Sequence, residues 1–162
     1  MYLVGVIDKN KEITKNLKKA FSSENVDFIN LDLGIIENFK NVKFDILLIS
    51  NFKKNSKSIN KKVFLNSSIY LINTDVKENL NILESLKGVV ITYGFNTKAS
   101  VTVSSVDDEN ISICIQRGIE SLSNQKIEPI EYVESIKNLE NVEISDVIGI
   151  KTAEILLTKK KN

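Results

Sequence analysis

The sequence predicts an α/β fold, and three of its patterns carry this prediction. Within residues 1–95, short continuous apolar runs alternate with segments of helical periodicity, as in a parallel sheet with helical crossovers. Within residues 99–115, apolar and polar side chains alternate one by one, which is typical of a half-buried hairpin. A final apolar segment has helical spacing. We therefore expect a Rossmann-like, mostly parallel sheet with helices on both faces, an appended antiparallel hairpin and a C-terminal helix packing back.

The first half of the chain contains the predicted parallel strands. Tyr2–Ile7 is a continuous apolar run of the kind that is buried on both faces. The other predicted strands are Val26–Asn30, Phe44–Ser50, the buried Ser68–Asn73 and Val89–Tyr93. The first helix is predicted from apolar residues at helical spacing, with lysines on the opposite face: Ile13, Leu17, Ala20 and Phe21. A second helix is predicted from Val76 to Leu86, ending at Gly88. Residues 51–58 are polar and lysine-rich, and are predicted to be a loop or a helix start.

The second half of the chain is predicted to be a hairpin followed by a helix. Ala99–Val103 and Ile111–Ile115 alternate with period two around an acidic turn. A further strand near Lys126–Val133 contains Pro129, which indicates an edge strand or a bend. The closing helix is expected at about Ser145–Thr158. We find no domain boundary, so residues 1–162 form one domain with an alternating part (1–95), an antiparallel part (96–134) and a closing helix (141–159).

Composition excludes several classes of protein. The 162 residues carry 22 basic and 21 acidic side chains, and this balance argues against a nucleic-acid-binding protein. Without any histidine, the chain lacks the commonest general base and metal ligand. A single cysteine, Cys114, excludes a disulfide framework and a cysteine zinc site. No segment has the length of a membrane helix or the order of a signal peptide, so we expect a cytoplasmic protein without a membrane partner.

Candidate binding residues follow the predicted parallel strands, because ligands of open α/β sheets bind beyond the carboxyl ends of the strands. We predict six ligand-binding positions: Asn10, Lys11, Asn51, Asn73, Asp75 and Arg117. The last is included as the only guanidinium that could anchor an anion. The alternative is ordinary loop and cap chemistry, since Asn and Asp are favoured there. No catalytic residue, metal ligand or cofactor is predicted.

Several more specific sites are disfavoured. The first strand–helix turn contains Lys9 and Lys11 but no glycine, so a standard phosphate-binding loop is absent. A phosphorylatable receiver domain needs an acidic pair after strand one and an aspartate after strand three. Here Asp8 stands alone, strand three ends in Ser50–Asn51, and Asp45 lies at its wrong end. The acidic residues 107–109 fit a hairpin turn better than a cation site, and Cys114 has no histidine to activate it.

Two motifs resemble the central domain of Mur ligases, the ATP-dependent amide-bond-forming enzymes of peptidoglycan synthesis. Ile72–Asp75 resembles the family's strand ending in N-x-D, and Val90–Phe95 resembles its following V-I-T-F-G strand. Phe44–Asn51 resembles the strand that ends in N-x-x-D-H in that family. Asn141–Val142 and then Ile148–Leu157 resemble its final helix. The resemblance implies the same scaffold over most of residues 1–158.

The sequence departs from that family at the residues that carry the family's chemistry. Only Asn10 and Lys11 resemble its G-T-N-G-K-T/S loop, and its magnesium-binding histidine is absent. The chain is too short to hold the flanking substrate and ligase domains. The leading hypothesis is therefore a non-catalytic Mur-ligase-like binding or scaffold module linked to bacterial cell-wall metabolism, whose partner is a protein or a second copy. The alternatives are a binder of a nucleotide or sugar nucleotide, or weak enzyme, using the strand ends, and a degenerate receiver-like regulatory domain.

Overall fold

The computed structural model of the chain describes residues 1–32, 34–51 and 65–158. It is an α/β protein with a mostly parallel mixed sheet of eight strands and a separate two-stranded antiparallel sheet. The strands are β1 (Tyr2–Ile7), β2 (Val26–Asn30), β3 (Lys43–Ile49), β4 (Asn66–Asn73), β5 (Val89–Tyr93), β6 (Val101–Val106), β7 (Asn110–Ile115), β8 (Ile119–Glu120), β9 (Lys126–Ile127) and β10 (Ile130–Ser135). The helices are α1 (Glu12–Ala20), α2 (Lys77–Leu80) and α3 (Ile144–Leu157). Within these ranges, no helix combines the length and apolarity that crossing a bilayer requires.

The large sheet has the strand order β10-β7-β6-β5-β4-β3-β1-β2. Its first five strands in sequence pair in parallel, and β6 joins β5 in parallel through the single pair Tyr93 and Val101. The hairpin β6–β7 and the edge strand β10 then extend the sheet with antiparallel pairs. Because β6 starts where β5 ends, this antiparallel part projects beyond the carboxyl edge of the parallel strands.

Two apolar layers cover the two faces of this sheet. The larger layer contains α1, α3 and inward residues of most strands, including Val4, Leu48 and Ile113, all fully buried. The smaller layer lies on the opposite face, where α2 and two short 3-10 turns (Ile36–Phe39 and Leu83–Ser85) pack. The predicted fold class is therefore confirmed, including the closing helix that packs on the sheet.

Two helix predictions differ from the structure. The helix expected from Val76 to Leu86 divides into α2 and a 3-10 turn, because the buried side chain of Asn79 bonds strand carbonyls rather than following an apolar helix face. On α1, Ala20 is exposed and Asn16 is buried instead. The strand predicted near Lys126–Val133 is interrupted at Pro129, as expected, and β10 after it is an edge strand. The part of the predicted 51–58 loop from residue 52 onward lies outside the described residues.

Candidate functional site: the carboxyl edge of the parallel strands

The carboxyl ends of β1, β3, β4 and β5 form one continuous edge. Ile7, Ile49 and Ile72 occupy one row of the sheet register, and Thr92 of β5 completes it. The residues that follow this row are therefore neighbours: the turn after β1, Ser50 after β3 and Asn73 at the end of β4. The β1, β3 and β4 candidates are thus brought to one edge, as the sequence predicts.

Asp8 organises the turn after β1. Its carboxylate accepts the backbone N–H of Lys11 at 2.7 Å and that of Ile13 at 3.0 Å, and the side-chain amide of Asn30 at 2.9 Å. Lys11 adopts a left-handed conformation with φ of 66°, which turns the chain into α1. A carboxylate at a helix N-terminus is favoured by the helix dipole. The chain's own carboxylate therefore occupies the place where a phosphate-binding loop would hold an anion.

Ser50 connects the end of β3 to the first turn of α3. Its hydroxyl donates to the Asp146 carboxylate at 2.5 Å, between residues 96 positions apart in the chain. Burial raises the pKa of Asp146, and the nearby carboxylates of Glu143 and Asp8 add to the effect, while the bond from Ser50 opposes it. The closing helix thus brings an acidic group over the strand ends.

Tyr93 lies beneath α3 at the end of β5 and is fully buried. Burial, followed by the charge of Asp146, raises the pKa of the Tyr93 hydroxyl well above its ordinary value, although the neighbouring Ser50 hydroxyl opposes the shift, so the phenol is neutral. Its oxygen does not reach a well-formed hydrogen bond with any residue that the structure describes. The Oδ1 atom of Asn51 is likewise buried without a partner in the described part of the chain.

The raised pKa of Asp146 predicts a pH dependence of stability. An acid whose pKa is higher in the folded than in the unfolded state stabilises the fold below its unfolded pKa. This contribution is lost as the pH rises through the folded pKa. We expect the change in free energy of unfolding caused by Asp146→Asn to be more favourable to the folded state at pH 7 than at pH 4. The measurement is the difference in free energy of unfolding between variant and parent across that range.

The contributions of other carboxylates to the pH dependence cancel in the difference between variant and parent, because both proteins contain them. They include Asp107 and Glu140, whose pKa values are lowered, the first by backbone hydrogen bonds and the second by Lys19. A difference that does not change with pH, or one that favours the parent protein more strongly at pH 7, would contradict the assignment.

Asn79 joins the ends of β3 and β4 from the second face of the sheet. Its fully buried amide donates to the carbonyl of Asn73 at 2.8 Å and to that of Ser50 at 2.9 Å. Backbone carbonyls at buried strand ends need hydrogen-bond partners, and the Asn79 amide supplies one to each of these two. One side chain thereby fixes the spacing of two strand ends.

Asp75 closes the loop after β5. Its two carboxylate oxygens accept the backbone N–H groups of Phe95 at 2.7 Å and Asn96 at 3.1 Å. Gly94 has φ of +143°, and a Cβ atom there would lie 2.6 Å from the Asp75 carboxylate. Only glycine fits this close approach. Both carboxylate oxygens of Asp75 therefore bind the protein's own loop.

The six predicted binding residues divide between two places. Asn10 and Lys11 lie in the exposed turn after β1, Asn51 follows β3, and the buried Asn73 accepts the backbone N–H of Asp75 at 2.9 Å. Arg117 instead follows β7 in the antiparallel part, five positions from β1 in the sheet order. It is exposed, and it forms no ion pair with the described residues. The structure therefore does not bring Arg117 to Lys11.

Other sequence features have structural roles. Asp107 accepts the backbone N–H groups of Glu109 and Asn110, both at 2.8 Å, and so forms the predicted hairpin turn. Asp45, at the amino end of β3, accepts the backbone N–H of Leu3 at 2.8 Å. Cys114 is half-buried on β7. Where the structure describes the chain, no three acidic or cysteine residues cluster as metal ligands would.

Sequence reasoning missed three residues of the edge: Tyr93, Asn79 and Asp146. Tyr93 was assigned only to a strand, and Asp146 only to the closing helix. A polar residue beside an apolar run is the one local signal, and it fits Asp146 alone, since Asn79 stands among polar neighbours. Their partners could not be read from the sequence because the contacts are long-range.

Comparison of the sequence with protein-family models and with curated proteins finds no match to either.

Proposed function

We propose that this chain is a non-catalytic binding or scaffold module built on the scaffold of a Mur-ligase central domain. Its partner is a protein of cell-wall synthesis or a second copy of the chain. The observation that carries the proposal is the Asp8 carboxylate bound to the N-terminal N–H groups of α1. In a nucleotide-binding domain of this layout, those groups would face phosphate.

The chemistry of Asp8 supports this choice. A phosphate bound at the same N–H groups would have to displace the carboxylate and break its bonds to Lys11, Ile13 and Asn30. The displaced carboxylate would also repel the phosphate at short range. With no glycine in residues 8–14, the backbone has little freedom to open a second path for the anion.

The bonds along the rest of the edge support the same choice. The side-chain oxygens of Asn73 and Asp75 accept hydrogen bonds from the protein's own backbone, and the Ser50 hydroxyl donates to Asp146. These contacts stabilise the strand ends as a structural unit. A scaffold needs such an edge to be rigid, whereas a catalyst needs its polar groups directed to a substrate.

Magnesium-dependent ATP hydrolysis tests this proposal. We expect the protein and its Lys11→Ala variant to hydrolyse ATP at the same background rate. The matched control is Lys9→Ala, which removes an exposed lysine from the same turn. Hydrolysis that the parent and Lys9→Ala share, and that Lys11→Ala loses, would contradict a non-catalytic role.

The second candidate function is binding of a nucleotide or sugar nucleotide at the strand ends. The buried Oδ1 atom of Asn51, which lacks a partner among the described residues, favours it because a ligand could satisfy this atom. Calorimetric titration with ATP, ADP, GTP and a UDP-sugar tests it. Saturable binding that weakens when Lys11→Ala and Asn73→Ala are combined would support this candidate. Binding that the double variant keeps unchanged would place the ligand elsewhere.

A further inference from the structure

A pocket with apolar and charged lining lies between the last turns of α3 and the strands β9 and β10. It has a volume of about 320 Å³, at the lower end of the range for small-molecule sites. The side chains on which the argument depends are Tyr132, Glu134, Lys151, Glu154, Ile127 and Ile155. It does not include the candidate strand-end residues, so the inference goes beyond the proposed function.

Charged groups are concentrated in this pocket. The Lys151 side chain is only 12% exposed, and its ammonium lies 2.9 Å from Glu154 and 3.5 Å from Glu134. Among the described side chains that line the pocket, one is positive and two are negative. In each carboxylate the Oε2 atom contacts Lys151 and no described residue donates to Oε1. Two carboxylate oxygens are therefore open to a ligand, beside the hydroxyl and amide groups of Ser121, Gln125 and Thr158, which also line the pocket.

Tyr132 adds a further acceptor. Its hydroxyl is buried and has no hydrogen-bond partner within the described residues. Burial raises the pKa of the Tyr132 hydroxyl, and the charges of Glu134 and Glu154 raise it further, so the group is a neutral phenol. A buried hydroxyl without a partner costs free energy that a bound ligand can recover.

We propose that this pocket binds a small organic cation, an ammonium or guanidinium group on a short aliphatic stem. The second oxygens of Glu134 and Glu154 and the hydroxyl of Tyr132 accept its N–H groups. Its methylene groups contact Ile127 and Ile155, which supply apolar surface at the same pocket. The ion pairs of Lys151 remain in place, because the cation uses oxygens that the lysine does not.

Calorimetric titration of the full chain with 1,5-diaminopentane and with agmatine tests the proposal. Pentanol and pentanoate, of similar length but neutral or anionic, are the comparison ligands. We expect saturable binding of the cations, weakening with added salt. We expect neither comparison ligand to bind. Failure of both cations to bind, or equal binding of pentanoate, would overturn the assignment.

Three variants locate the binding site. Glu134→Gln, Glu154→Gln and Tyr132→Phe should each raise the dissociation constant of 1,5-diaminopentane, the charge variants by at least about tenfold. Glu128→Gln is the matched control, since this exposed glutamate precedes β10 and does not line the pocket. If one pocket variant fails to fold, the other two still decide the question. Unchanged affinity in the folded pocket variants, or an equal loss in Glu128→Gln, would contradict the site.

Discussion

Replacing Gly149 by alanine is expected to lower the free energy of unfolding by about 3 kcal/mol, the upper end of the overpacking range. A Cβ atom at this position would lie 2.7 Å from Cζ of Tyr93 and 2.8 Å from its hydroxyl. Neither side can yield easily, because Tyr93 is fully buried and α3 packs on several strands. Thermal unfolding measures the loss, which corresponds to about 6–12 °C in Tm for a domain of this size.

Gly118→Ala is the control for the Gly149 substitution. The nearest atom to a Cβ at Gly118 is a backbone oxygen at 3.8 Å, so the added methyl group meets no close neighbour. We expect this variant to unfold within about 1 kcal/mol of the parent. Equal stability of the two alanine variants would show that α3 does not rest on the Tyr93 ring as described.

Asn16→Ala is expected to cost about 3 kcal/mol of stability, because it leaves buried polar groups without partners. The Asn16 side chain is 4% exposed and lies on α1. Its amide donates to the carbonyls of Glu12 at 2.8 Å and Glu140 at 3.0 Å, and its oxygen accepts the N–H of Glu140 at 3.1 Å. It thereby fixes the segment that leads into α3.

Asn38→Ala provides the comparison for Asn16. Asn38 is exposed in a 3-10 turn, so its amide is solvated in both states. We expect a change within about 0.5 kcal/mol for this surface substitution. Denaturant unfolding of both variants, with equal m-values, isolates the effect on stability. If Asn16→Ala costs no more than Asn38→Ala, the Asn16 bonds do not hold the chain before α3.

Continuous apolar runs were the most informative part of the sequence. The predicted strands Tyr2–Ile7, Val26–Asn30 and Val89–Tyr93 have the same bounds in the structure. For Tyr2–Ile7, a central strand of the sheet, burial of both faces requires apolar residues throughout. The closing helix, expected at Ser145–Thr158, differs by one residue at each end. Patterns that extend over a whole element were therefore sufficient for the fold class.

Single buried polar residues were less predictable. Asn16 and Asn79 look like exposed helix residues in the sequence, yet both are buried because they bond carbonyls from other parts of the chain. The contact of Ser50 with Asp146 depends on how α3 packs, which no local pattern encodes. The positions of Asn10, Lys11, Asn51, Asn73 and Asp75 at one edge were predictable from strand order, whereas Arg117 lies elsewhere. Their roles in binding stay predictions.

Thermal unfolding with and without ATP–Mg²⁺ tests the central claim most directly, since the claim is that Asp8 occupies the anion site of α1. A ligand at about 100 times its dissociation constant adds about 2.7 kcal/mol of stability. For a chain of this size, that raises Tm by several degrees. We predict no change in Tm with ATP–Mg²⁺. A rise of several degrees that is lost in Lys11→Ala but kept in Lys9→Ala would show that the turn after β1 still binds phosphate, and would contradict the account.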